Sequence, residues 1–175
     1  VSVQLGIGGW QPFDAAYVHT KGYGDCKALS NYMVTVLKAA NITAYPVLIN
    51  SGNDRYPMIT EFTSNQFNHV IVCVPLKEDT VWLECTSQNM PAGSIGWSNE
   101  NRNALMITPD GGVVVKTPVS SSIKNLQTKK FEVTISARGL ADAKGNIVWG
   151  GNQHDYVNPV YKDFPLDEKE KWIKN

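Results

Sequence analysis

One short stretch of the sequence, Gly22 to Lys27, places a cysteine where a helix is expected to begin. Asp25 is a good N-cap residue, so Cys26 takes the first helical position, where unpaired backbone N–H groups and the helix dipole favour an anion. That environment lowers the pKa of a thiol and makes the nucleophilic thiolate available near neutral pH. The backbone N–H of Cys26 can also stabilise an oxyanion on an attacked carbonyl. The stretch therefore predicts that Cys26 is a nucleophile.

A nucleophilic thiol needs a base, and the base needs a group that orients it. Two strand-like runs, His69 to Leu76 and Val81 to Thr86, are joined by a tight connection and predict an antiparallel hairpin. In the registers that this turn allows, the numbers of directly opposed residues sum to about 153 or 155. Both registers put His69 and Glu84 on one face, directly opposed or one diagonal apart. We therefore expect Glu84 to steady the His69 imidazole.

The chain contains three cysteines, an odd and low number that is a poor basis for a disulfide framework. The hairpin register puts Cys73 on the His69 face and Cys85 on the opposite face, so we expect both to be buried thiols without a disulfide between them. No CxxC or HxxxH spacing is present, and the glycine-rich run at residues 6–9 lacks the spacing of a dinucleotide fingerprint. Neither a metal nor an organic cofactor is predicted.

Apolar spacing and turn residues predict the elements that position these side chains. From Asp25 to Ala40 apolar residues recur at intervals of three and four, which predicts a helix with Asn41 as its C′ residue. The opening residues predict a short strand followed by a glycine-rich turn, and further strands are predicted at 44–49, 104–108 and 113–116. Residues 51–57 and 89–103 predict loops, the second a long surface loop. The fold class is therefore α+β.

The tract that begins at residue 118, PVSSSIKNLQTKK, predicts a linker, and the run after it predicts two strands around a Lys-Gly-Asn turn. We accordingly predict a core domain at residues 1–118 and part of a C-terminal β-containing domain at residues 119–175. The chain opens in a strand-like run without a signal peptide, and its last twelve residues predict the first turns of a helix. Both ends predict a fragment of a larger multidomain protein.

Composition narrows the classes of partner. The 175 residues are 42% hydrophobic and 18% charged, which excludes intrinsic disorder as a global description. Lys plus Arg and Asp plus Glu number 16 each, which argues against nucleic acid or an anionic membrane as the main partner. The apolar stretch from Val70 to Leu76 is far shorter than the roughly 20 residues of a membrane-spanning helix, so no such segment is predicted.

Three separated motifs resemble the transglutaminase-like (papain-like) cysteine enzyme superfamily. They are YGDCKALSNYMVTVLKAANITAYPVLI, FNHVIVCVPL and VWLECTS, and they occur in the order that the superfamily shows. The resemblance covers most of residues 1–115 and is closest to bacterial proteins in which such a core lies between an N-terminal β-rich domain and a C-terminal domain. It implies a papain-like core with the cysteine-bearing helix packed on an antiparallel sheet.

The resemblance also implies roles for the residues singled out above: Cys26 as the nucleophile, His69 as the general base and acid, and Glu84 as the third member of a triad. Two positions depart from the superfamily. It commonly has Asp and then Pro where this chain has Glu84 and Cys85, and often an acidic residue where this chain has Ala28. Glutamate is one methylene longer than aspartate and can still accept a hydrogen bond from the imidazole.

Three more residues are candidates for oxyanion stabilisation or substrate binding. A glutamine upstream of the cysteine supplies an oxyanion-hole donor in papain-like sites, which makes Gln11 a candidate, although a plain turn residue explains it equally well. Trp10 precedes it, and Tyr23 is tied to the motif by adjacency. Tyr23 is the aromatic residue that we expect near the thiol, because aromatic residues such as Trp82 and Trp97 more often belong to a core.

The expected activity is thiol-dependent acyl transfer on peptide or isopeptide amides, with hydrolysis preferred over transfer to an amine. Nothing in the residues decides between water and an amine as the acceptor. The alternative is a non-catalytic module that keeps the papain-like groove for binding a peptide or a glycan. The resemblance implies a protein or peptide substrate and an extracytoplasmic location, in the periplasm or cell envelope of a Gram-negative bacterium.

Overall fold

A computed structural model describes residues 1–5, 9–53, 56–62 and 64–174. The chain divides into two compact units, Val1–Val119 and Ser120–Asn175. The predicted boundary lies between residues 118 and 119. Within the described residues the elements are four helices and seven strands, so the chain is mixed α+β, as predicted.

The first unit is built around a five-stranded antiparallel sheet with the strand order β3-β2-β1-β4-β5. Two helices precede the sheet in the chain, α1 at Ala15–Lys21 and α2 at Cys26–Ala39. The strands are β1 at Tyr45–Ile49, β2 at His69–Pro75, β3 at Thr80–Leu83, β4 at Asn103–Thr108 and β5 at Gly111–Lys116. These five strands match the predicted runs to within a few residues at each end.

Helix α2 begins and ends at the predicted residues. Asp25 is its N-cap, and Asn41, just beyond the C-cap Ala40, adopts the left-handed conformation with φ 59° that ends many helices. The fully buried hydroxyl of Ser30 donates a hydrogen bond of 3.1 Å to the backbone carbonyl of Val70. A buried hydroxyl is costly to leave without a partner, so this hydrogen bond holds helix α2 against strand β2.

The largest buried cluster of the first unit lies on one face of the sheet, and Val70, Val72 and Val74 of β2 are buried on the other. Strand alternation brings one apolar side chain after another to the face of the cluster, and a loop residue closes over them. The buried cluster consists of Val47, Ile49, Ile71, Cys73, Trp82, Ala104 and Ile95. Strand β2 lies between β1 and β3, and its first residue, His69, pairs with Ile49 of β1.

The N-terminal segment differs from the prediction. Among the described residues before position 12, the only strand-like contact is a single bridge between Ser2 and Gly24, not a full strand. The predicted glycine-rich turn falls mostly on residues 6–8, outside the described residues. Helix α1 was not predicted; it begins at an N-cap, Asp14, whose side chain accepts a hydrogen bond of 2.6 Å from the backbone N–H of Tyr17.

The two predicted loops are irregular, but the second is not purely a surface loop. Of the first, residues 54 and 55 fall outside the described residues. In the second, Ile95, Asn99 and Arg102 are 1%, 2% and 6% exposed. Ile95 is apolar and belongs to the core, and Asn99 and Arg102, which follow it in the same loop, are buried as well.

The second unit contains an antiparallel ribbon, β6 at Gln127–Ile135 and β7 at Ala141–Trp149, followed by α3 at Asn152–Asp163 and α4 at Leu166–Lys174. Two strands and the final helix were predicted, but the linker is shorter than predicted because β6 begins at Gln127, and α3 was not predicted. The predicted Lys-Gly-Asn turn is wrong.

The ribbon turns instead at Gly139, whose φ of 77° suits glycine. Gly145, the glycine of the predicted turn, lies within β7 opposite Phe131. A Cβ on Gly145 would collide with the Phe131 ring, so this glycine makes room for an aromatic side chain across the ribbon.

Candidate active site

Cys26 occupies the first position of α2. The Asp25 carboxylate caps the helix by accepting a hydrogen bond of 2.9 Å from the backbone N–H of Ala28. Gly24 allows the chain to enter the helix closely, since a Cβ at that position would lie 2.9 Å from the Ala28 Cβ. The thiol is half-buried, at the end of a helix whose first N–H groups point toward it.

His69 is the first residue of β2 and pairs with Ile49 of β1. Its Nε2 lies 2.7 Å from an Oε atom of Glu84. The imidazole also lies close enough to the Cys26 thiol for each group to shift the pKa of the other. Because Nε2 is engaged by Glu84, Nδ1 is the ring nitrogen left for the thiol. The structure therefore brings together the three residues predicted as a triad, in the order thiol, imidazole, carboxylate.

Glu84 follows the last residue of β3. The pairs Val72 with Leu83 and Cys73 with Trp82 give the predicted register sum of 155. In that register Glu84 lies one diagonal from His69, the second of the two arrangements that the sequence allowed. A diagonal neighbour is farther away than a directly opposed residue, and the longer glutamate side chain spans that distance.

The Cys26 thiol and the His69 imidazole each shift the pKa of the other toward the charged form. Burial raises the pKa of the Cys26 thiol, but the hydrogen bond and charge of His69 and a backbone hydrogen bond at Val70 outweigh burial, so the net shift is downward. Burial lowers the pKa of His69, but hydrogen bonds to Cys26 and Glu84 raise it from 6.5 to about 9. These opposite shifts favour a thiolate and an imidazolium at neutral pH.

The third member is held in its ionised form. Burial raises the pKa of Glu84, but the hydrogen bond and charge of His69, together with hydrogen bonds from Thr86, lower it below its ordinary value. Thr86 donates from its backbone N–H at 2.8 Å and from its hydroxyl at 2.5 Å. A carboxylate that stays charged beside His69 stabilises the imidazolium.

The other two cysteines are free thiols. Cys73 belongs to the buried core, where burial raises its pKa. Burial raises the pKa of Cys85 to about 11, although Ser30 of helix α2 acts in the opposite direction. Neither thiol is activated, so the lowered pKa of Cys26 distinguishes it among the three cysteines.

A cleft of about 590 Å³ opens beside Cys26 and His69. Trp10, which is 63% exposed, forms part of its wall, as do apolar residues of the sheet such as Leu48 and Ile107. Gln11 is exposed and is not part of the described lining. Tyr23 is not part of it either.

The aromatic candidates other than Trp10 lie elsewhere. Tyr23 packs edge-on against Tyr17, with ring centroids 6.1 Å apart. Trp82 belongs to the core, and Trp97, which is 48% exposed, is not part of the described lining of the cleft. Of the three predicted oxyanion or substrate-binding residues, the structure brings only Trp10 to the cleft.

Helix α2 holds the segment that carries Trp10. The ammonium group of Lys27 donates a hydrogen bond of 2.9 Å to the backbone carbonyl of Gly9, and Asn31 donates one of 3.1 Å to that of Phe13. Lys27 and Asn31 are one helical turn apart and therefore lie on the same side of α2. Both residues also line the cleft, although sequence reasoning missed them.

A second cavity, of about 510 Å³, contains none of the three triad residues in its lining. Arg102, Lys116 and Tyr56 are among the residues around it, and Phe67 borders both cavities.

Within the described residues, no group of three or more His, Cys, Asp or Glu side chains is placed to hold a metal ion. No helix in the described part of the chain is both long and apolar enough to cross a bilayer.

The arrangement can support attack by a thiolate on a carbonyl carbon, with an imidazolium next to the leaving group and a helix N-terminus next to the developing oxyanion. None of the protein-family models matches this chain, and neither a curated protein nor a solved structure gives a significant match.

Proposed function

We propose that this protein is a thiol-dependent acyltransferase of the transglutaminase-like (papain-like) type, acting on peptide or isopeptide amides through Cys26, His69 and Glu84. The observation that carries the proposal is the arrangement of three groups: a helix-terminal thiol beside an imidazole whose Nε2 lies 2.7 Å from a buried carboxylate. Together these three groups supply a nucleophile, a proton carrier and an orienting group, which covalent acyl transfer requires.

In the first half of the proposed reaction, the Cys26 thiolate attacks the amide carbonyl and forms a tetrahedral intermediate. The backbone N–H of Cys26 stabilises the oxyanion. The His69 imidazolium donates its Nδ1 proton to the leaving amine as the C–N bond breaks, and an acyl thioester remains on the sulfur. Glu84 holds the ring so that this proton points at the leaving group.

In the second half, neutral His69 takes a proton from the acceptor, and the acceptor attacks the thioester carbonyl. When the second tetrahedral intermediate collapses, the C–S bond breaks and the thiolate and imidazolium are restored. With water as the acceptor the product is a carboxylic acid, and with a primary amine it is a new amide. Hydrolysis is the preferred outcome by resemblance to bacterial proteins of this superfamily, which are often regarded as proteases.

An acylation experiment tests the proposal without knowledge of the natural substrate. The protein is mixed with p-nitrophenyl acetate, and release of p-nitrophenol is followed while the acyl group is located by mass spectrometry. We expect rapid acetylation of Cys26, no acetylation of the Cys26→Ala variant at any other thiol, and normal acetylation of Cys85→Ala. Cys85 is a matched control because burial raises its pKa to about 11.

Acetylation no faster than that of free cysteine would contradict the proposal and leave the non-catalytic binding module as the explanation for the cleft. Adding a primary amine such as glycine ethyl ester then separates the two outcomes of the second step. Formation of acetate shows hydrolysis, whereas formation of the N-acetyl amine shows transfer. The extracytoplasmic location stays a prediction, which fractionation of the source cells tests.

A further inference from the structure

The Glu84 carboxylate accepts hydrogen bonds from residues other than His69. One oxygen receives both hydrogen bonds of Thr86, and the other is shared by His69 Nε2 at 2.7 Å and the side-chain amide of Asn99 at 3.0 Å. Thr86 is only two positions from Glu84, so its hydrogen bonds move together with the local backbone. Asn99 approaches from a different segment, fifteen residues further along the chain.

Asn99 is firmly anchored. It is 2% exposed, and its Nδ2 also donates a hydrogen bond of 2.8 Å to the backbone carbonyl of Ile95, which belongs to the core. Its backbone carbonyl accepts a hydrogen bond of 2.7 Å from the hydroxyl of Thr117, which is equally buried. These bonds fix the backbone and the side chain of Asn99 independently of Glu84.

The orientation of the Asn99 amide is determined by its neighbours. Nδ2 faces two acceptors, the Glu84 carboxylate and the Ile95 carbonyl. A flipped amide would place its oxygen against both acceptors and lose both hydrogen bonds. The side-chain oxygen of Asn99 is buried and accepts no hydrogen bond within the described residues. Burying an acceptor without a partner is unfavourable, so the favourable contribution of the Asn99 side chain comes from its Nδ2 donor.

We propose that Asn99 is a positioning residue, which holds the Glu84 carboxylate against His69. This inference depends on the proposed function, because positioning Glu84 matters only if His69 acts on Cys26. Glutamate has one more rotatable bond than aspartate, so its carboxylate needs an additional contact to stay in one place. A donor to the shared oxygen supplies that contact, and it also favours the charged form of the carboxylate.

The test compares Asn99→Leu, which keeps the size of the side chain but removes the donor, with Thr117→Val as the matched control. Thr117→Val disturbs the same buried segment through the Asn99 backbone carbonyl but removes no contact to Glu84. The ¹⁵N chemical shifts of the His69 ring nitrogens are followed from pH 4 to pH 10 in both variants and in the unaltered protein. Circular dichroism checks folding, and the smaller Asn99→Ala replaces Asn99→Leu if that variant does not fold.

We expect the midpoint of the His69 titration to move down by about one pH unit in Asn99→Leu, because a displaced carboxylate stabilises the imidazolium less. Thr117→Val is expected to keep the midpoint of the unaltered protein. An unchanged midpoint in Asn99→Leu, or an equal shift in both variants, would overturn the positioning role while leaving the proposed function intact. If His69 of the unaltered protein itself titrates near 6.5, the proposed function fails first and this inference with it.

Discussion

Replacing Glu84 by glutamine tests how much the carboxylate contributes to the thiolate–imidazolium pair. Hydrogen bonding raises the His69 pKa from 6.5 to about 9 in spite of burial, which corresponds to about 3 kcal/mol of preference for the imidazolium. Cys26 and then Glu84 are the groups that raise this pKa. Loss of the charge of one partner is expected to lower a pKa by about one unit, which is about 1.4 kcal/mol or a factor of ten.

The sign of the effect follows from the charges. Glutamine keeps the shape of the side chain but not its charge, so the His69 pKa falls and the imidazolium is lost at a lower pH. We therefore expect the pH at which His69 loses its proton to fall from about 9 by about one pH unit. Above that pH the Cys26 thiolate no longer has an imidazolium beside it.

The assay is an NMR titration of His69, in which the ¹⁵N chemical shifts of its ring nitrogens are followed as the pH is raised. Glu78→Gln is the matched control, because Glu78 is an exposed carboxylate in the turn of the same hairpin. A Glu84→Gln profile that coincides with that of the unaltered protein would refute the reasoning. A shift of the same size in Glu78→Gln would refute it as well, since a general change in surface charge would then explain the result.

Two further predictions concern the start of helix α2. Asp25→Ala removes the cap to Ala28 and is expected to lower the free energy of unfolding by about 1 kcal/mol in urea titrations, whereas Asp25→Asn keeps the cap. The charge of Asp25 raises the Cys26 pKa, so both variants should lower the pH midpoint of Cys26 alkylation by iodoacetamide; a higher midpoint would contradict this. Gly24→Ala places a Cβ 2.9 Å from that of Ala28 and is expected to cost about 1–3 kcal/mol, measured by thermal unfolding; a stability equal to that of the unaltered protein would show that the helix entry is not tightly packed.

The parts of the site that follow local rules could be predicted from the sequence. Asp25 and the apolar spacing after it specify where α2 begins, which places Cys26 at the helix N-terminus. The parity of the hairpin specifies that His69 and Glu84 share a face, and the structure adds which of the two registers is used. These features depend on residues close together in the chain or on strand alternation, so one sequence is enough to predict them.

The features that the sequence could not predict depend on contacts between distant segments. Asn99 reaches Glu84 only because Ile95 enters the core, and a Gly-, Ser- and Asn-rich loop gives no periodic signal for that burial. Gly145 suggested a turn, but it lies inside a strand because the Phe131 ring occupies the space of its missing side chain. Tyr23 is next to the motif in sequence, yet its ring packs on Tyr17, away from the cleft.

The central claim is that Cys26 and His69 form a thiolate–imidazolium pair at neutral pH, and an NMR titration of His69 tests it most directly. The chain has three histidines, so replacing His19 and His154 by glutamine leaves one imidazole, whose ring nitrogens are followed by ¹⁵N chemical shift. We predict that His69 stays doubly protonated until about pH 9 and that Cys26→Ser lowers this value. Titration of His69 near 6.5, unaffected by Cys26→Ser, would contradict the account.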